Sequence, residues 1–218
     1  MRTLMSLTLL PLAVIGLQHA LGLSGMWGYV PYKVCFLVPP LIYCHRHGIN
    51  PWQDILRFRD WRRGLPQAVV LGLLAAAVFL AADRWLADLL IDKASLIPKM
   101  KQQFGVTART VLLVAPWTML PNSLLEEFFY RGFSFGLLRR NHRAVAYLLP
   151  ATAFTAQHLL FIHDWFSPLP LAIAGTALFV LALVLSDLYR RAGTLVAPWV
   201  VHFWGDLVMM WIAAQMLL

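Results

Sequence analysis

Two adjacent glutamates and an arginine lie in a segment of the chain that is otherwise apolar. The segment is residues 122–140, NSLLEEFFYRGFSFGLLRR, and it contains Glu126, Glu127 and Arg131. Ionisable side chains inside a membrane are costly, so they usually have a partner or a function there. On a helix, residues four apart share a face, and adjacent residues diverge by about 100°. We therefore expect Glu127 to pair with Arg131 and Glu126 to remain available as a base.

Two later segments repeat the spacing of four residues, and each contains a histidine. Phe154 and His158 occur in FTAQH, and His202 and Asp206 occur in HFWGD. Each pair lies on one face of a predicted helix that is otherwise largely apolar. If the three segments converge, they form one site that contains carboxylates and two imidazoles.

A site of this composition suits the cleavage of an amide bond by water. A carboxylate in apolar surroundings holds a proton more tightly than one in water, so it can take a proton from water near neutral pH. Imidazoles can stabilise an oxyanion or hold a metal ion. An acyl enzyme would need an activated serine or cysteine instead. We therefore favour hydrolysis by activated water.

The composition places this chemistry in a membrane. Of the 218 residues, 60% are hydrophobic and 13% are charged, and the mean hydropathy is strongly positive. The apolar runs are long enough to cross a bilayer as helices of about 20 residues, and no alternating pattern of a barrel is present. The predicted fold class is all-α, a polytopic integral membrane protein with about seven transmembrane helices.

Seven membrane spans are predicted along the chain. The first run is interpreted as a retained helix rather than a signal peptide, because it is long and lacks a convincing small-residue cleavage site. Pro39 and Pro40 should kink the second run, and Pro116 and Pro121 should bend or break the fourth. The predicted spans are 4–23, 29–44, 65–82, a fourth from 110 onward, 144–162, 168–187 and 194–217.

The segments between the spans are predicted to lie outside the hydrocarbon. Residues 45–63 mix arginine with tryptophan and leucine, which is typical of an interfacial loop or short helix. Residues 83–109 have an amphipathic pattern. Cys35 and Cys44 lie nine residues apart on one predicted helix and point to different heights, so we expect no disulfide between them.

The net charge of +8 does not indicate nucleic-acid binding, because the basic residues fall mainly between the apolar runs. This distribution indicates which connections lie on the cytoplasmic side of the membrane. The side with more of them should be cytoplasmic, which places the N-terminus inside the cell. One side collects Arg2, Arg46, Arg57, Arg59, Arg62, Arg63, Arg139, Arg140, Arg143, Arg190 and Arg191, and the other collects Lys93, Lys99, Lys101 and Arg109.

The elements EEFFYRG, FTAQH and HFWGD, in this order, resemble the E-E-x-x-x-R, F-x-x-x-H and H-x-x-x-(N/D) motifs of the CPBP (CAAX-processing and bacteriocin-processing, or Abi) intramembrane endopeptidases. RRAGTLVAPWVVH, which leads into the third element, is also similar to that family. The resemblance covers roughly residues 123–208. It implies a single membrane domain, 1–218, with N-terminal spans and interfacial segments in 1–109 and a CPBP-like catalytic core in 110–218.

The resemblance implies a hydrolase of the cell membrane, with a prokaryotic cytoplasmic membrane as the expected location. It assigns water activation to Glu126 with His158 beside it, and completion of the site to His202 and Asp206. Glu127, Arg131 and Phe154 would support this geometry. The expected partners are the lipid bilayer and a membrane-anchored protein or peptide substrate, with no nucleic acid.

The cofactor and the mechanism stay open at this stage. The resembled family has been described both as metalloproteases and as glutamate-type proteases, and we favour the glutamate type without a cofactor. If a divalent metal such as zinc is bound instead, His158, His202 and Asp206 would be its ligands. Family members that process prenylated proteins in eukaryotes have Asn at the last position, where this chain has Asp206.

Each of these interpretations has a structural alternative. Ser123-x-x-Glu126 also fits a capping box at a helix start, His158 could bond a backbone carbonyl in the core, and His202 with Asp206 could serve helix packing. The alternative functions are a non-catalytic membrane immunity or peptide-binding protein, or a proton-coupled transporter that uses Glu126 and His158 as a relay.

Overall fold

The regular structure of this chain is helical throughout the part that a computed structural model describes. That part is the backbone of residues 1–23 and 25–218, with all of their side chains except those of 25–29. Its main helices are α1 Arg2–Ala20, α2 Gly25–Arg46, α3 Leu65–Leu90, α4 Lys93–Phe104, α5 residues 111–138, α6 Arg143–Ile162, α7 Pro168–Ala192 and α8 Val196–Leu217. The predicted all-α class is confirmed.

Five helices in the described residues are long and apolar enough to cross a membrane: α1, α3, α6, α7 and α8. The predicted count of seven spans is therefore not confirmed. The other two predicted spans correspond to α2 and α5, which are helical but less apolar, because α2 contains Lys33 and α5 contains Glu126, Glu127 and Arg131.

The third span is longer than the sequence predicts. Instead of ending near residue 82, α3 continues to Leu90, so Asp83 and Asp88 belong to the helix rather than to a separate amphipathic segment. Lys93 lies 3.1 Å from a carboxylate oxygen of Asp83 and 3.2 Å from one of Asp88. A cation at the helix end compensates these acidic groups and interacts favourably with the helix dipole.

Helix α5 lies at the centre of the fold and carries the two glutamates. Pro116 and Pro121 do not break it, because π-helical turns at Thr118–Asn122 and Phe128–Phe135 maintain a continuous helix. π-helical turns inside α-helices frequently occur at functional sites. At Gly132 a Cβ would collide with Ile55, so glycine lets another segment approach the helix directly beside Arg131.

The segment that approaches is the helical turn Pro51–Leu56, within the predicted interfacial region 45–63. Its Ile55 and Leu56 are buried. The carbonyl of Ile55 accepts a hydrogen bond from Tyr189 Oη at 2.9 Å, and that of Leu56 accepts one from the Leu195 N–H at 3.0 Å. The turn therefore fixes the connection between α7 and α8, which leads directly to His202.

Helix α1 packs into the same bundle, against α2 and α6. Its Leu4 and Ile15 are buried in the core, and Thr8 Oγ1 donates a hydrogen bond to Ser134 Oγ of α5 at 3.0 Å. On the other side α3 packs along α8, and α7 packs against α6 and α8.

Cys35 and Cys44 are both free thiols, as predicted.

Candidate active site

Three helices bring the three sequence motifs to one place. Glu126 of α5, His158 of α6 and His202 of α8 each offer one ligand atom, and these atoms lie within 4.8 Å of one another. Asp206 adjoins them on α8, with Oδ1 3.7 Å from Nε2 of His202. The residues predicted to do chemistry therefore lie together, although their individual roles stay predictions.

The two oxygens of Glu126 have different surroundings. Oε1 accepts hydrogen bonds from Lys33 Nζ at 2.6 Å, Asn122 Nδ2 at 3.3 Å and Gln157 Nε2 at 3.4 Å. Oε2 is buried and makes no hydrogen bond within the described residues. It faces Nε2 of His158 at 3.7 Å and Nε2 of His202 at 4.0 Å. One oxygen is thus anchored, and the other is directed towards two imidazoles.

Lys33 is the main residue of this site that the sequence analysis missed. It lies on α2, in the N-terminal part of the chain, and its side chain is 9% exposed. Its Nζ also lies 4.8 Å from the ring centroid of Tyr32 and 4.9 Å from that of Phe36. The signal was available, because Lys33 is a cation inside the predicted span 29–44 and such residues are functional candidates.

Glu127 pairs with Arg131, as predicted, and also contacts His202. Its Oε1 accepts a hydrogen bond from Arg131 Nη1 at 2.9 Å and also lies 2.8 Å from Nδ1 of His202. The glutamate and the arginine are 0% and 1% exposed. Breaking such a buried pair is strongly destabilising. The pair therefore holds one ring nitrogen of His202 and directs the other towards Glu126.

His158 is oriented by its own helix. Its Nδ1 donates to the carbonyl oxygen of Phe154 at 2.8 Å. His158 therefore makes the backbone hydrogen bond expected of a purely structural histidine, and its Nε2 still faces Glu126. The Phe154 ring lies 4.3 Å from the His158 ring centroid and 4.3 Å from the Arg131 guanidinium carbon. Its edge-on contact with the His202 ring spans 5.7 Å. Phe154 therefore packs against each of these three groups.

His158 is the most exposed of the four predicted catalytic residues. The side chain of this histidine is 29% exposed, whereas those of Glu126, His202 and Asp206 are 5%, 7% and 11% exposed. Asp206 Oδ2 is buried and has no hydrogen bond within residues 1–23 and 25–218. The carboxylates of Glu126 and Asp206 are therefore shielded, and the His158 ring lies closest to the surface.

Two alternative interpretations of α5 do not fit its structure. Ser123 lies inside the continuous helix and donates to the Met119 carbonyl at 2.6 Å, so it does not begin a helix and Glu126 does not belong to a capping box. GFSFG at 132–136 has the G-x-S-x-G spacing of a nucleophilic serine, a match that we overlooked in the sequence. Ser134 is fully buried inside the helix and bonded to Thr8, not exposed on a strand-to-helix turn.

The donor atoms of the site also fit a zinc ion. The two histidines present Nε2 while each Nδ1 is hydrogen-bonded, an arrangement typical of metal-ligating histidines. With a carboxylate oxygen they form a three-ligand set of the kind found in catalytic zinc sites. The group that the structure brings within reach is Glu126, His158 and His202, so Glu126 takes the place that the sequence analysis gave to Asp206.

Three further residues make contacts apart from this group. Asp187 accepts hydrogen bonds from Arg190 at 2.7 Å and from Arg191 at the end of α7. Trp199 donates to Ser123 Oγ at 3.0 Å, and Trp204 packs on Gly72 of α3.

Comparisons with known proteins agree with the geometry. Residues 108–208 match the family model of the type II CAAX prenyl endopeptidases, Rce1-like, and this match confirms the resemblance to the CPBP proteases drawn from the motifs. The matched segment includes Glu126, His158, His202 and Asp206 but not Lys33. Searches of curated proteins and of solved structures returned no match.

Proposed function

We propose that this CPBP-type membrane protein is an intramembrane endopeptidase in which Glu126 activates the water that cleaves a peptide bond. The family match supports a hydrolase of the CAAX-protease type. One observation carries the mechanism: Glu126 Oε1 is anchored by Lys33 at 2.6 Å, while Oε2 makes no hydrogen bond within the described part of the chain and faces His158 and His202.

The attacking water would lie between Glu126 and His158. Their facing atoms are 3.7 Å apart, which is too long for a direct hydrogen bond. A water about 2.8 Å from each would bridge them once the two side chains move slightly apart. In the reaction, the water oxygen bonds to the scissile carbonyl carbon and Glu126 Oε2 takes its proton. When the C–N bond breaks, Glu126 passes that proton to the leaving amine.

His202 and Asp206 would place the scissile carbonyl. Glu127 accepts from Nδ1 of His202, so Nε2 is directed into the site. In the imidazolium form, which carries a proton on each nitrogen, Nε2 would donate to the oxyanion that forms during attack. Asp206 lies on the next turn of α8, beside Nε2, and we assign it to substrate placement. Arg131 acts through Glu127 and keeps His202 in position.

Lys33 favours the mechanism without a metal. An ammonium group 2.6 Å from the Glu126 carboxylate already compensates its charge and would repel a divalent cation at the same group. If zinc were bound, Glu126, His158 and His202 would hold it, and it would supply a Lewis acid for the carbonyl. We propose the glutamate type, with Glu126 acting directly on water.

The substrate is proposed to be a protein or peptide anchored in the same membrane. A prenylated C-terminus, a bacteriocin leader and the C-terminal anchor of a sorted surface protein are the three candidate classes. We place the protein in a prokaryotic cytoplasmic membrane with its N-terminus in the cytoplasm. With α2 and α5 counted as spans beside the five candidate helices, the basic residues of alternate connections favour that orientation. The core at 110–218 would supply most of the site, with Lys33 added from the N-terminal part.

The test is cleavage of one membrane-anchored peptide from each class by purified wild type and Glu126→Gln. The glutamine keeps the size and the hydrogen-bonding capacity but removes the base, so cleavage should fall at least about 100-fold. Asp164→Asn is the matched control, because this carboxylate is 80% exposed and lies outside the site. Cleavage by the Glu126→Gln variant at the wild-type rate would refute the proposal. Tight peptide binding without cleavage would favour the non-catalytic alternative.

A further inference from the structure

A groove runs between α3 and α7 on an exposed side of the bundle, with one residue of α8 at its floor. It consists of a wide part of about 1160 Å³ and a narrower part of about 760 Å³. Leu71 of α3 and Val184 of α7 line both parts, so the two are continuous. We call it the α3–α7 groove.

The wide part has a basic mouth. Arg63, Arg143 and Arg191 line it, with Asp187 as the acidic residue among them. Asp187 is already engaged by Arg190 and Arg191, and the side chains of Arg63 and Arg191 are 69% and 72% exposed. The mouth therefore carries an excess of positive charge at the end of the bundle where α6 begins and α7 ends.

The narrow part is apolar apart from Thr176, whose hydroxyl donates to the Ala172 carbonyl of its own helix. Leu74 and Val78 of α3 and Ile173 and Val180 of α7 form its walls, and Val201 of α8 lies at its floor. The α7 wall extends over residues 172–184, about 18 Å at 1.5 Å per residue. This length matches the hydrocarbon of one bilayer leaflet, which is about 15 Å thick.

The groove is separate from the catalytic group. Val201 faces the groove, whereas the adjacent His202 diverges from it by about 100° around α8 and contacts Glu127 at 2.8 Å. A molecule in the groove would thus be separated from Glu126 by the body of α8. This placement argues against the scissile segment of a substrate as the occupant.

We propose that the α3–α7 groove is a binding site for one anionic phospholipid, with its phosphate at the arginine mouth and an acyl chain along α3 and α7. Basic pockets between membrane helices recognise anionic headgroups, and arginine is well suited to bidentate contact with phosphate. A free phosphate ion would leave the long apolar part unused, and a zwitterionic lipid would not match the charge of the mouth. The site does not depend on the proposed catalytic function.

The experiment measures retained lipid. Protein reconstituted in vesicles of equal phosphatidylglycerol and phosphatidylcholine, with identical acyl chains, is extracted in detergent, washed and analysed by mass spectrometry. The headgroup variant is Arg63→Gln with Arg143→Gln. Its matched control is Arg46→Gln with Arg59→Gln, two exposed arginines outside the groove lining. The variant that blocks the acyl-chain part of the groove is Ala177→Trp, which fills the narrow part. Its control is Leu112→Trp, at a residue that is 71% exposed.

Wild type should retain phosphatidylglycerol in preference to phosphatidylcholine. Each arginine near an anionic lipid contributes a factor of about five in affinity, so the headgroup variant should retain the lipid about tenfold less well or worse. Ala177→Trp should lose it too, and both controls should match wild type. The proposal would be overturned by equal retention of the two lipids, by no retained lipid, or by equal loss in the controls. Displacement of the lipid by an added prenylated peptide would also overturn it. Thermal melting in detergent verifies that every variant is folded.

Discussion

Replacing Lys33 by methionine should destabilise the protein, and most of that loss should disappear when Glu126 is neutralised as well. The Lys33 ammonium lies 2.6 Å from Oε1 of Glu126, and the two side chains are 9% and 5% exposed. Lys33→Met leaves a buried carboxylate that has lost its cationic partner from α2. Lys33→Met with Glu126→Gln leaves neither charge in place.

The magnitude follows from the burial of both groups. Removing one partner of a buried ion pair costs about 3–5 kcal/mol of unfolding free energy, whereas replacing both by uncharged groups is often nearly neutral. Asn122 and Gln157 still bond Oε1, so we expect about 3 kcal/mol for Lys33→Met. The interaction energy of the double-mutant cycle should be about 2 kcal/mol or more.

The assay is equilibrium unfolding of the four proteins of the cycle in one detergent. Lys101→Met is the control for loss of an exposed lysine and should change the unfolding free energy by less than about 0.5 kcal/mol. In the same preparations Lys33→Met should lower kcat more than it changes KM, because Oε2 is no longer held in its direction. Strictly additive losses in the double variant would refute the inferred pairing of Lys33 with Glu126.

Two further predictions concern the supports of the site and the contact of α3 with α8. Glu127→Gln removes the charge that holds His202, so kcat should fall about tenfold or more in the cleavage assay while KM changes little; an unchanged kcat would contradict this role. At Gly72 a Cβ would collide with Trp204, so Gly72→Ala should lower the unfolding free energy by about 1–3 kcal/mol. At Gly205 nothing lies within 4 Å of such a Cβ, so Gly205→Ala should raise the unfolding free energy by about 0.5–1 kcal/mol. Both variants are unfolded in detergent, and effects of the same sign would refute this reasoning.

Local spacing made part of the site predictable from the sequence. The pairing of Glu127 with Arg131 and the divergence of Glu126 follow from helix geometry alone, and the structure has both. The predicted helices also appear, because apolar runs of this length have one stable form in a membrane. Boundaries were less predictable: α3 extends to Leu90 because Lys93 compensates its acidic end.

The missed parts depend on contacts between distant segments. Lys33 is 93 residues from Glu126 in sequence, and no local pattern shows which helix it will face, although its burial in an apolar run marked it as a candidate. The second partner of Glu127, His202, is 75 residues away. The continuity of α5 through Pro116 and Pro121 depends on π-helical turns, which proline positions alone do not predict.

The most direct test of the central claim, that Glu126 itself activates water, is the metal content and activity of the same purified sample. Wild type is treated with a chelator, its zinc is quantified by mass spectrometry, and cleavage of the best substrate is measured before and after zinc is added back. If Glu126 acts without a metal, the enzyme should keep full activity with far less than one zinc per chain and should gain none when zinc is added. Activity that disappears with the zinc and returns at one equivalent would contradict it.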